Sequence, residues 1–361
     1  DMRFRDARWK WAASNGDGDL VREDLKTLAL AQPENLYWAT NLVRLVRAED
    51  GDAAAEAVFA ELIAATPDPF QLELLLSKYR VEMGRREDAA AFLTELAERE
   101  GQSEANANTA RIALARLLIS EGRIEEAYAL VDAVEAKDAA NTEALLLQAN
   151  RLVESGALDA AVQKIRLGLN QAPDDVRLLR LAANAQELAG NVDLANDRFA
   201  RAVRTVDYET STVEEYVRFL TRVGRHTAVE IVLSEAIARR PDDARLYDVL
   251  GFSRVQRGDW PGASEAARTL RRLNPDRAQQ LLAAILIGQE RFDEGASLLR
   301  DLPENEALRA TSINALVQTY IQGGQMPEAV DFLESMLAEN PDNLQALGLR
   351  GNLHLLAGEF E

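Results

Sequence analysis

Cysteine is absent from this 361-residue chain, and histidine occurs only at His226 and His354. The first absence excludes disulfides, thiol nucleophiles and thiolate-held metals. The second leaves a Ser-His-Asp triad or an imidazole metal site almost no material. Neither fixes a compartment, because periplasmic and cytosolic chains alike can lack cysteine. No apolar run reaches the roughly 18 residues needed to cross a bilayer. The opening stretch DMRFRDARWKW is charged and lacks the apolar centre of a secretory signal. Proline (10) and glycine (20) are sparse and scattered, so no low-complexity linker marks a domain boundary.

Acidic charge and helix formers are present in quantity. Asp and Glu number 60 against 41 Lys and Arg, a formal charge of −19. Such a chain repels nucleic acid and anionic membranes at long range. Hydrophobic residues make up 47%, enough to build a core, and Ala, Leu, Arg and Glu dominate.

The stretch Leu114–Pro173 sets the period. Gly122 and Gly156 lie 34 residues apart, and each ends one amphipathic run and begins the next. Equivalent turn marks fall at Gly16, Asp50, Gly84, Gly190, Gly224, Gly258, Glu290, Gly324 and Gly358, separated by 32, 34 or 38 residues. Five residues past the mark a small residue or Val recurs, as at Ala55, Ala89, Ala127, Ala161, Ala195, Val229 and Ala329. Seventeen past it stands Pro33, Pro67, Pro173, Pro241, Pro275 or Pro341. A glycine at the mark closes one helix in a left-handed conformation, and the small residue admits a close helix partner. The proline stops the second helix, and the Asp or Asn beside it (Pro241-Asp242-Asp243, Pro341-Asp342-Asn343) starts the next.

This pattern resembles the tetratricopeptide repeat (TPR) family over essentially the whole chain. The small eighth position is Ala115, Ala149, Ala183, Gly251, Ala283 or Gly351, and bulky residues follow in helix B at Val131, Ile165, Phe199, Leu233 and Leu333. The aromatic usual at the eleventh position is mostly replaced, most often by Leu, so the repeats are divergent. The resemblance implies an all-α, right-handed α-solenoid: a superhelix of about ten helix-turn-helix repeats and a truncated eleventh. Units begin near residues 2, 36, 70, 108, 142, 176, 210, 244, 276, 310 and 344, making 1–361 a single array and a fragment of a longer protein. Register breaks twice. Four residues are added in the Glu98–Asn108 connection and two are missing after Asn274-Pro275, both expected to lie between units.

Catalytic motifs are lacking. Asn15-Gly16-Asp17-Gly18-Asp19 opens like a calcium loop, but Leu20 and Lys26 occupy its glycine and glutamate positions, so it reads as the repeat's own turn. Carboxylates lie at helical spacing to basic residues, as on a solvated face. The expectation is no enzyme, no cofactor and no metal.

In the TPR family, helix A lines the concave groove. Its ninth position here reads Lys10, Arg44, Lys78, Arg116, Asn150, Asn184 and Arg218, then Phe252, Ala284, Gln318 and Asn352. Other groove columns add Arg3, Arg47, Arg177, Arg180, Arg222, Arg245 and Arg277 against the acids Asp6, Glu82, Glu143, Glu154, Glu187, Glu214 and Asp248. That balance is the reverse of the whole chain's. Arg offers a planar fork to carboxylates, and Asn can bond both edges of an extended backbone. Arg180 and Asn184 match the first pair of the family's carboxylate clamp, and Arg245 stands at a basic clamp position. Arg218 replaces the clamp's next Asn. Farther along, Phe252, Val255, Ile287, Ile321 and Leu355 form an apolar strip, suited either to a partner's side chains or to cover by further repeats.

The residues therefore predict a protein–protein interaction scaffold whose groove holds an extended, acidic partner segment. The alternative is the non-catalytic arm of a bacterial envelope, exopolysaccharide-assembly or secretion machine. RNA binding is disfavoured by net charge and by the scarcity of groove aromatics. No direct membrane insertion is expected. Oligomeric state and compartment, bacterial periplasm or envelope or cytoplasm, stay open.

Overall fold

The computed structural model describes residues 18–300 and 306–357. Among them are twenty helices and no strand, so the fold is an all-α solenoid of successive helix pairs. Lys10, the first helix of the first repeat, the loop at 15–17 and the mark at Gly358 lie outside the described residues. Helices A begin at Leu36, Phe70, Thr142, Val176, Thr210, Ala244 and Leu344, where the period places them. Pro275 starts one residue early, and Glu104 and Glu306 start four residues early.

By contacts the chain divides into two compact units, 1–173 and 174–361. In the first, the small-residue column is fully buried at Ala55, Ala89, Ala127 and Ala161, which lets each helix B close on its helix A. One core there joins Leu42, Trp38 and Leu62; another joins Leu93, Leu96, Ile112, Leu118 and Val131. In the second, Ala195, Val229, Ala263 and Ala329 are buried likewise. The Phe199 ring packs against Phe219 at 5.1 Å and Tyr216 at 5.7 Å between centroids.

Chain ends of the helices follow the local sequence. Gly122 takes φ 78°, and the backbone N–H groups of Gly122 and Arg123 bond the carbonyls of Ile119 and Leu118, closing helix A with paired bonds. Glu290 holds the same place at φ 63° with a side chain attached. At the second mark, Asp50 is still helical and Gly51 carries the positive φ, one residue later than expected. The residues beside the prolines do start helices: Asp175, Asp243 and Asn343 accept from the backbone N–H groups of Arg177, Arg245 and Ala346.

Both register breaks are absorbed in ways the period does not reveal. The four added residues prolong helix A by about one turn, from Asn108 back to Glu104, instead of lying wholly between units. Arg99, in the connection, donates to both oxygens of the buried Glu73 carboxylate at 2.9 and 3.1 Å. At the deletion, Asn274 both ends Trp260–Leu273 and caps Pro275–Gly288, so a single residue serves as the whole connection.

Candidate functional site

Helix A places one residue of the ninth-position column on each repeat, and the described residues show what each side chain meets. In unit 1–173, Arg44 is exposed and forms no ion pair among the described residues. Lys78 is 73% exposed, with only Glu82 near it at 3.9 Å. Arg116 pairs with Glu143 of the following repeat. Arg47 turns to Asp52 at 2.9 Å. Asn150 is half-buried and makes no side-chain hydrogen bond among the described residues.

In unit 174–361, Arg180 pairs with Glu215, and Arg245 bonds Glu214 through two nitrogens at 3.0 and 2.6 Å. Arg222 grips Glu187 at 2.9 and 2.8 Å, and this hydrogen-bonded carboxylate raises the Arg222 guanidinium above its ordinary range. Arg277 pairs with Asp248 and donates to Gln280 at 2.7 Å. Asn184 and Arg218 are exposed, and neither has a side-chain hydrogen bond or ion pair among the described residues. The basic residues counted from the sequence are therefore not equivalent. Five, Arg116, Arg180, Arg222, Arg245 and Arg277, are spent on neighbouring repeats, whereas Arg44 and Arg218 are exposed without an ion pair among the described residues and Lys78 has only Glu82 at 3.9 Å.

A cleft of about 630 Å³ opens beside two of the predicted residues. Helix Phe70–Glu82 contributes Leu74, Ser77, Lys78 and Val81, and helix Glu104–Ser120 contributes Thr109, Ile112, Ala113, Arg116, Leu117 and Ser120. Leu93 adds apolar surface, and Asn141 and Glu143 stand at one end. Each hydroxyl in it is already donated to its own helix: Ser77 to Leu74 O at 2.7 Å, Thr109 to Ala105 O at 2.8 Å and Ser120 to Leu117 O at 2.7 Å. Lys78 also lines a smaller recess of about 90 Å³ with Arg44, Thr40, Val43 and Glu82.

The apolar strip is divided. Phe252 and Ile287 line a second cleft of about 330 Å³ with Arg277, Gln280, Ala283, Ala284, Leu299 and Ala315. Val255 packs half-buried beside Phe252 against the Leu270–Leu281 core, and Ile321 packs against the core around Leu316 and Leu333. Leu355 is exposed. The residues that sequence reasoning did not single out are Leu74, Val81, Ile112 and Leu117. A signal for three existed: Leu74 and Ile112 hold the fifth position of their repeats and Val81 the twelfth, columns that the resemblance assigns to the groove.

Among the described residues, no group of three or more His, Asp or Glu is arranged to hold a metal, and no helix is long and apolar enough to cross a membrane.

A tetratricopeptide-repeat family model matches residues 286–353. No curated protein matches the chain. Among solved structures, a tetratricopeptide repeat protein from Parabacteroides merdae is 15% identical, covers 69% of this chain and 98% of its own, and gives a TM-score of 0.46. Yeast Tom70 is 12% identical, with 98% and 95% coverage and a TM-score of 0.47. MamA from Desulfovibrio magneticus is 17% identical, with 48% and 96% coverage and a TM-score of 0.39.

Proposed function

We propose, from the premise that the chain is a tetratricopeptide-repeat protein, that it is a non-catalytic scaffold binding an extended, acidic segment of a protein partner along its helices A. Residues 1–361 act in this reading as one array. The observation that carries it is the exposure of Arg44 and Arg218 without an ion pair among the described residues, and of Lys78 with only Glu82 at 3.9 Å, in a chain of net charge −19 whose other groove arginines are largely ion-paired. An exposed cation keeps its hydration only until a carboxylate replaces it, and an Arg fork binds that carboxylate through two parallel bonds. The net negative charge opposes an acidic partner at long range. Salt screens that repulsion beyond about 8–10 Å, and contact then depends on the local cations.

The test is titration of labelled Asp/Glu-rich and Lys/Arg-rich peptides of equal length into the full chain at low and high salt. The acidic peptide is expected to bind more tightly, and Arg44→Glu with Lys78→Glu to reverse the preference. Equal affinity for both peptides would refute the proposal.

A further inference from the structure

We infer that the cleft between Phe70–Glu82 and Glu104–Ser120 takes apolar side chains of the bound segment, so that the partner's recognition element joins an apolar anchor to a nearby carboxylate. The assignment rests on the acidic-segment reading above and adds the chemistry that reading lacks. Charge alone gives little selectivity, because any acidic chain satisfies an exposed lysine.

The lining decides the occupant. Leu74, Val81, Leu93, Ile112 and Leu117 present methyl groups, and the hydroxyls among them already donate to carbonyls of their own helices. None of these hydroxyls is left seeking an acceptor, so apolar groups fill the space beside the methyl groups at least desolvation cost. Its size, about 630 Å³, lies within the range of clefts that enclose a ligand and accommodates more than one side chain.

The rim fixes the polarity. Arg116 is committed to Glu143, whereas Lys78 is 73% exposed and has only the weaker pair with Glu82 at 3.9 Å. An incoming carboxylate is therefore drawn to the Lys78 edge. Lys78 also lines the recess that holds Arg44 and Glu82, so two cations beside one carboxylate continue past the cleft. An extended peptide, advancing about 3.3 Å per residue, can follow that line; a compact amphiphile fills the cleft alone.

Fluorescence anisotropy on the full chain tests this with three peptides: an acidic one with a central Leu-Phe, the same with Ala-Ala, and a Leu-Phe peptide whose acids are changed to amides. Replacing Leu-Phe by Ala-Ala is expected to weaken binding roughly 30-fold. Ala113→Phe, which fills the cleft, should impose a similar loss on the Leu-Phe peptide and leave the Ala-Ala peptide unchanged. Thr109→Phe, at an exposed rim position, repeats the test should Ala113→Phe fail to fold. Equal binding of the Leu-Phe and Ala-Ala acidic peptides overturns the cleft assignment and leaves the acidic reading standing. Undiminished binding of the amide peptide overturns the acidic reading instead. Stoichiometric occupation by dodecanoate, with no peptide discriminated by Ala113→Phe, overturns the peptide in favour of a small amphiphile.

Discussion

Arg245 reaches back one repeat to Glu214 and holds both carboxylate oxygens, Nε to Oε1 at 3.0 Å and Nη2 to Oε2 at 2.6 Å. The arginine is 64% exposed and the glutamate 17%. A residue counted as an available groove cation is thus occupied by its own chain. Its side chain could contact a partner only by giving up two charge-assisted bonds.

Glu214→Gln should release it. The expected result is tighter binding of an acidic peptide by a few-fold, with a stability loss of about 1 kcal/mol, since only the arginine end of the pair is largely exposed. Peptide titration and urea denaturation on the same preparation measure both. An unchanged affinity would show that Arg245 lies outside the binding surface.

Glu290 stands at φ 63° where glycine serves most other repeats. A side chain in this region costs about 1 kcal/mol, which glycine avoids. Glu290→Gly should therefore raise stability by about that amount, and Gly122→Ala, at φ 78°, should lower it similarly. Denaturant midpoints decide the matter, and a destabilised Glu290→Gly would mean that its side chain contributes more than the strain it imposes.

Acid should weaken the start of helix Thr210–Arg222. The Glu209 carboxylate is held down to about 2 from an ordinary 4.5, chiefly by the Ser211 hydroxyl, with backbone N–H groups of Ser211 and Thr212 adding to it. The folded state thus favours the ionised form. Its contribution is complete above pH 4.5 and is lost as pH falls through 2. Glu209→Gln removes this dependence. The stability difference between wild type and variant, followed by thermal unfolding, should be constant from pH 7 to about 5 and shrink below. A difference that stays flat to pH 2 would contradict this cap.

Element by element, legibility tracked the range of the forces involved. Asp243 could be read as a helix start because the N–H it caps lies two residues away. Gly122 could be read as a helix end because left-handed backbone is a property of the residue itself. Asp50 misled by one position because Gly51, its neighbour, offers the same freedom more cheaply. The four added residues could be located but were misplaced: Ser103, whose hydroxyl accepts from the Asn106 N–H, caps a helix that begins at Glu104.

The all-α repeat, its period and the register of each helix are written locally in the chain, because turns, caps and apolar spacing act within a few residues. Tertiary structure alone decided which cations remain available. Arg116 and Glu143 are 27 residues apart, Arg245 and Glu214 31, and Arg222 and Glu187 35. Their pairing depends on side-chain geometry below 4 Å, where Coulomb attraction is strong and falls off steeply with separation in water. The apolar cleft beside Lys78 likewise depends on how two helices stack, a relation that neither helix carries alone.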